Sequence, residues 1–250
     1  MSSQTNVSPK QRSRNWIWPV AFIVIVGGAI YISGAHEDVG PHGEHIIRSD
    51  QEYNSVLSEA RELSEKTLIA YDTGHPLSEQ DLRNLREAAK RYEELSMFAP
   101  TKMAPYFGAG RCHLTLGEEQ TAEVDFQQCI ENMKNESNPQ TFTEVASLGA
   151  EAQFFLAQCY ILDQNYQGAK DEAELALGTR PNIPNYLYVK ARAEVQLNEL
   201  SDARTDLARA HTLDPTNTHV KGLMNLLAAN MPEPDSPKTG TKPSGSPKQR

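Results

Sequence analysis

The sequence predicts an all-α protein, a solenoid of antiparallel helix pairs preceded by one transmembrane helix. Three observations predict it. Small residues and prolines recur 34 residues apart: Ala169, Ala176 and Pro181 return as Ala203, Ala210 and Pro215. Apolar residues in the body fall at helical spacing rather than in strand-like alternation. Near the N-terminus, Trp16 to Ser33 is an uncharged run of eighteen residues, which as a helix spans roughly 27 Å, about one hydrocarbon core.

Composition bounds the rest. The 250 residues carry 24 Lys+Arg against 33 Asp+Glu, a net charge of −9. That balance excludes a general nucleic-acid binder, whose affinity comes from neutralising phosphates. Three cysteines exclude a disulfide scaffold. A mean hydropathy of −0.57 excludes a polytopic membrane protein.

Residues 1–15 are a polar tail with Lys10, Arg12 and Arg14 and no acid. Residues 16–34 are the transmembrane helix, with Trp16, Trp18 and Tyr31 at its ends as interfacial anchors. Pro19 sits in its first turn, where a missing N–H is no loss. Basic residues before the span and acids after it orient the N-terminus to the cytoplasm and the remainder outside it. Ser33-Gly34-Ala35 also fits a signal-peptidase site, but the apolar run exceeds the usual signal length of about 7–15 residues, which favours an uncleaved anchor. Gly27-Gly28 would allow close helix packing, so a homo-oligomer stays open.

Residues 35–50 form a linker broken at Gly40-Pro41. From 51 to 231 extends the helical solenoid. Its first part, 51–102, is a degenerate repeat: Val56, Leu57, Ala60, Leu63, Thr67, Leu68 and Tyr71 keep a helical period, and Ser78 with Glu79 and Asp81 starts a second helix. Residues 103–136, 150–183 and 184–217 are the better repeats, with a 13-residue insertion around Asn135–Ser147. Thr218–Met231 is an amphipathic capping helix. Residues 232–250 hold five prolines with Gly, Ser and Lys and cannot offset ordering entropy, which predicts disorder. Between the basic ends, residues 36–231 carry 17 Lys+Arg and 31 Asp+Glu, a net of −14.

The repeats align residue by residue. Ala88, Ala122, Ala169 and Ala203 share one position; Tyr92, Phe126, Ala173 and Leu207 the next turn; Cys129, Ala176 and Ala210 a third. This pattern resembles the tetratricopeptide repeat (TPR), a 34-residue helix–turn–helix unit. Tyr106, Ala109, Gly110, Gly117, Ala122 and Phe126 carry the likeness in one unit, and Leu156, Ala157, Tyr160, Ala169, Ala176 and Pro181 in the next. Lys190 departs from it where Leu is usual, and Lys134 where Pro is. An anchored array of this kind is similar in architecture to bacterial envelope scaffolds, such as the ancillary translocon subunit and repeat-bearing subunits of cytochrome c assembly.

No catalytic constellation, metal motif or phosphate loop is present, so neither enzyme activity nor a cofactor is expected. Cys112, Cys129 and Cys159 replace small packing residues, with Cys112–Cys129 as the alternative disulfide. His36, His42 and His45 lie in a linker that fixes no geometry, and no metal site is expected there. The resemblance implies that first helices line a concave groove that grips extended peptides or helices. At one position on them stand Phe107, Phe154 and Tyr188; one turn on, Arg111, Gln158 and Arg192; then Leu114, Ile161 and Val195. These nine residues are the expected partner-binding groove, suited to a peptide carrying apolar side chains and carboxylates. The alternative is that they pack internally against the neighbouring repeat. The expected protein is a single-pass membrane scaffold displaying a binding groove outside the cytoplasm, in the periplasm if bacterial, with a role in envelope assembly or translocation. A self-assembling envelope component and a metal-responsive regulator using the histidine linker are the competing readings.

Overall fold

A computed structural model describes residues 47–135 and 142–229. The expected cytoplasmic tail, transmembrane helix 16–34, histidine linker and C-terminal tail lie outside them, apart from linker residues 47–50. Among the described residues there are nine helices and no strand. They are α1 (Asp50–Asp72), α2 (Glu79–Phe98), α3 (Met103–Leu116), α4 (Glu119–Lys134), α5 (Phe142–Leu162), α6 (Tyr166–Thr179), α7 (Pro184–Gln196), α8 (Leu200–Leu213) and α9 (Thr218–Ala229).

Local chemistry starts and stops these helices. The Ser49 hydroxyl accepts from the Glu52 N–H and caps α1. Ser78 and Asp81 form a reciprocal capping box on α2, satisfying two otherwise orphaned donors. The Asn165 side chain accepts from the Gly168 N–H to cap α6, and Pro184 opens α7. The turns after α3, α5 and α7 each place one residue in the left-handed region, at Gly117 (φ 79°), Gln164 (φ 61°) and Asn198 (φ 63°). These three positions coincide when the repeats are aligned.

Each helix packs on the next in sequence. In addition α1 touches α3, α3 touches α5, and α5 touches α7, whereas the even-numbered helices α2, α4, α6 and α8 do not touch one another. Helices in mutual contact lie on the inside of a curve, so the odd-numbered set forms the concave face. α9 packs on α8 and reaches α7, closing the described end.

Small residues permit this close approach. Ala88, Ala122, Ala169 and Ala203 are all fully buried, as are Cys129, Ala176 and Ala210. Tyr92 and Phe126 lie under Gly108 and Gly110, where an added Cβ would run into the aromatic rings. The three thiols are free and buried, which pushes their pKa up to about 12, so they serve as small apolar filling.

α5 begins at Phe142, eight residues ahead of the repeat start at 150, so much of the insertion is helical and lengthens α5. Among the described residues α5 is also the one helix long and apolar enough to cross a membrane. Its contacts with α3, α4, α6 and α7, and the burial of 44% of its apolar window, account for that composition as a core helix.

Candidate functional site

The concave face carries a groove of about 520 Å³ between α1, α3 and α5. Leu68, Ile69, Phe107 and Leu148 supply apolar wall, and Arg61, Glu65, Asp72 and Arg111 supply charge. Ala104, Gly108, Ser64 and Tyr92 complete the lining. Ser64 Oγ and Tyr92 Oη lie 3.4 Å apart there, and burial raises the tyrosine pKa above its ordinary value of 10.0. Because Gly108 has no side chain, the Tyr92 ring comes up against α3 itself. Leu148 comes from the part of α5 that precedes the repeat start at 150, so the longer helix contributes to this wall.

Of the nine expected groove residues, Phe107 and Arg111 line this groove. Phe107 is half-buried, with edge contacts to Phe126 and Phe155 at 6.2 and 6.0 Å between ring centroids. Arg111 Nη2 donates to Asp72 Oδ2 at 2.7 Å, and its guanidinium lies 4.2 Å from the Phe155 ring centroid. One side chain thus ties α1, α3 and α5 together through an ion pair and a cation–π contact. Its charge is met inside the protein, which differs from an arginine left free for a ligand carboxylate.

The remaining positions extend along the same helices. Leu114 is buried in the core of the 103–136 repeat. Phe154 is half-buried, stacked on Tyr186 at 4.9 Å and edge-on to Phe155 at 4.9 Å. Gln158 and Ile161 follow it on α5, both half-buried. On α7, Arg192 lies 5.8 Å from the Tyr188 ring centroid, and Val195 packs with Tyr188 against the terminal core. Each of these aromatic positions packs against a neighbour and keeps an exposed portion, and of the three Phe107 lines the groove.

Phe155, Asp72, Ile69 and Leu148 are outside the set expected from the repeat alignment. Phe155 stacks on Phe126 at 5.6 Å and forms the floor beneath Arg111. The double aromatic Phe154-Phe155 is the available signal for it. Asp72 lies 39 residues from Arg111, and no sequence spacing pairs them.

A second polar centre lies off the groove. The His113 side chain is buried between α2, α3 and α4, and its Nδ1–H donates to Asp125 Oδ2 at 2.7 Å. Nε2 faces Glu93 at 3.6 Å and Glu118 at 3.8 Å. The Asp125 hydrogen bond raises the imidazole pKa above 6.5, against the opposing pull of burial. Among the described residues no group of His, Cys, Asp and Glu is arranged to hold a metal ion.

No family model matches this chain, and no curated protein does. Solved structures do resemble it. MamA from residue 41 to its end, from Desulfovibrio magneticus RS-1, is 15% identical over 68% of this chain and 84% of that one, with a TM-score of 0.51. The MamA RS-1 ArsTM double mutant matches with the same identity, coverage and TM-score. TTC0263, a thermophilic TPR protein of Thermus thermophilus, is 12% identical over 68% of this chain and 99% of that one, with a TM-score of 0.38. At such identities the likeness is one of fold. Helix pairs in the 34-residue register, small residues at their crossings and a concave face of first helices make the described chain a TPR-like α-solenoid.

Proposed function

We propose that this chain is a non-enzymatic scaffold, anchored in a membrane through residues 16–34, that binds a partner peptide or helix in the concave groove of its solenoid. The observation that carries this reading is the groove between α1, α3 and α5, with Ile69, Phe107 and Leu148 in its wall. Ile69 is 57% exposed, a large apolar side chain left to solvent on a concave surface. Covering such a patch is favourable by about 25 cal/mol per Å² of apolar area removed from water. The walls are helices pinned by Arg111, so the groove is preformed and little ordering cost falls on the scaffold.

The anchor and its orientation rest on the uncharged run and the flanking charges. They set the solenoid on the extracytoplasmic side, in the periplasm for a bacterial host, where the partner would be an envelope protein in assembly or translocation. The chain brings that partner to the membrane and does no covalent chemistry on it.

The test is site-directed photo-crosslinking in intact membranes, with benzoylphenylalanine at Phe107, at Phe154, or at Val124 on α4 as the convex control. The expected result is a defined partner captured from Phe107 and Phe154 and not from Val124. Equal capture from Val124, or none from either groove position in a chain folded by circular dichroism, overturns the reading.

A further inference from the structure

The arginines of the concave face differ in what meets them. Arg111 is neutralised by Asp72 at 2.7 Å. Around it, Arg61 and Lys66 stand beside Glu62 and Glu65 on α1, and the charges balance. Arg192 holds the same repeat position on α7 and is half-buried, yet it makes no ion pair or hydrogen bond among the described residues. Its guanidinium lies 5.8 Å from the Tyr188 ring centroid, and that ring lies 5.8 Å from the His219 ring of α9. Acids on the flanking helices are engaged elsewhere. α9 carries none, and its Lys221 is positive too. On α5, Glu151 meets Arg180 at 2.7 Å, and Glu144 lies in the first turn, at the far end from Gln158. On α7, Glu194 is fully buried against Lys190 at 3.1 Å. In the adjoining turns, Glu199 meets Lys170 at 2.6 Å, and Asp163 sits against Glu123 of α4.

We propose that the C-terminal half of the concave face, formed by α5, α7 and α9, takes an acidic segment of another protein, with an Asp or Glu carboxylate on Arg192 and a neighbouring apolar side chain on Tyr188 and Leu226. This rests on the groove reading above and carries it to the far end of the same face. A guanidinium presents paired N–H donors in the spacing of a carboxylate, and Tyr188 holds this one from one side. Half-buried, Arg192 has already shed part of its hydration, so an incoming carboxylate gains more there than on an exposed arginine. Leu226, 53% exposed, stands on α9 where Arg192 stands on α7, and Gly222 where Tyr188 does. A Cβ added at Gly222 would meet nothing within 4 Å, so the face beside the ring is open. A basic segment would find Arg192 and no unengaged acid on α7 or α9 to receive it. The acidic body repels an acidic segment at long range, but salt screens that repulsion beyond about 8 Å under physiological conditions, and contact with Arg192 lies within that distance. The chain's own Glu233 and Asp235 are the competing source of a carboxylate. They are set between prolines, and residues 232–250 hold no aromatic side chain to seat on Tyr188.

The test selects phage-displayed random dodecapeptides on the full chain in detergent, then measures the selected peptides by fluorescence anisotropy, with circular dichroism confirming the fold of each variant. The expected peptides carry Asp or Glu within a few residues of a large apolar side chain. Arg192→Gln should weaken them about tenfold. Replacing that Asp or Glu by its amide should weaken binding to the unaltered chain equally, and both changes together should cost no more than either alone. Peptides that lack Asp and Glu, or that bind the Arg192→Gln chain as tightly, overturn this inference, and the groove reading stands if Phe107→Ala abolishes their binding. Peptides dependent on Arg192 that emerge only from a chain carrying Glu233→Gln and Asp235→Asn overturn it in favour of the chain's own carboxylates. No selected peptide, or binding indifferent to Phe107→Ala and Arg192→Gln alike, overturns the groove reading and the inference together.

Discussion

His113, only 5% exposed, holds three carboxylates of the 103–136 repeat and its neighbour around one imidazole: Asp125 on α4, Glu118 in the turn before it and Glu93 on α2. Its folded pKa stands above the unfolded value of 6.5, so its stabilising contribution is full below that value. It is lost as pH rises through the folded pKa. His113→Gln should therefore cost about 1.5–3 kcal/mol at pH 6, the range of a hydrogen bond to a charged group, and distinctly less at pH 9. Thermal melts of both proteins at the two pH values check this, and an unchanged difference would refute it. Lys190 departs from the repeat pattern for an equally local reason. Its Nζ meets Asp206 at 2.7 Å, Glu194 at 3.1 Å and Glu174 at 3.5 Å. Burial pulls the lysine pKa down, but Asp206 and Glu194 outweigh it and the net shift is upward. Glu194 is fully buried, and beyond that ion pair its oxygens have no hydrogen-bond partner. Lys190→Leu alone leaves a bare buried carboxylate and should destabilise by about 3–5 kcal/mol in urea denaturation. Adding Glu194→Tyr restores the pair that the preceding repeat has, Leu156 and Tyr160, and should recover most of that loss.

Between helices, three turns share one backbone solution with three different residues. Gly117 enters the left-handed region at no steric cost, Asn198 at a small one, and Gln164 at a larger one. Gln164→Gly should raise stability by about 0.5–1 kcal/mol, read as a higher urea midpoint at unchanged slope. A lower midpoint would mean that the glutamine side chain contributes more than its backbone costs. These turns also show what was legible in the chain. The 34-residue recurrence located helix pairs because the crossing points admit only small residues, and Ser78 announced α2 because a capping box is a local pattern. The extension of α5 was not legible, since repeat alignment marks Asn135–Ser147 only as an insertion, whereas α5 starts at Phe142 and its Val145 packs on the core that holds Phe126 and Phe155. The transmembrane helix rests on length and charge alone.

At the scale of the whole molecule, each helix touches only its near neighbours in the stack, so the concave face is built up helix by helix rather than by any distant contact. The position of the groove follows from that geometry, and of the aromatic stripe that repeat alignment gives, Phe107 lines it. The polar character of the groove was not readable that way, because Arg111 meets Asp72 and Phe155 only when three helices from different repeats come together. A free guanidinium in the sequence became an internal fastening in the fold. The account's central claim is that partners lie along this concave face. The most direct measurement is hydrogen–deuterium exchange of the full chain with and without the segment captured at Phe107. The account predicts slowed exchange in 61–72, 104–111 and 148–161, with α4 and α8 unchanged. Slowing confined to the even-numbered helices would contradict it.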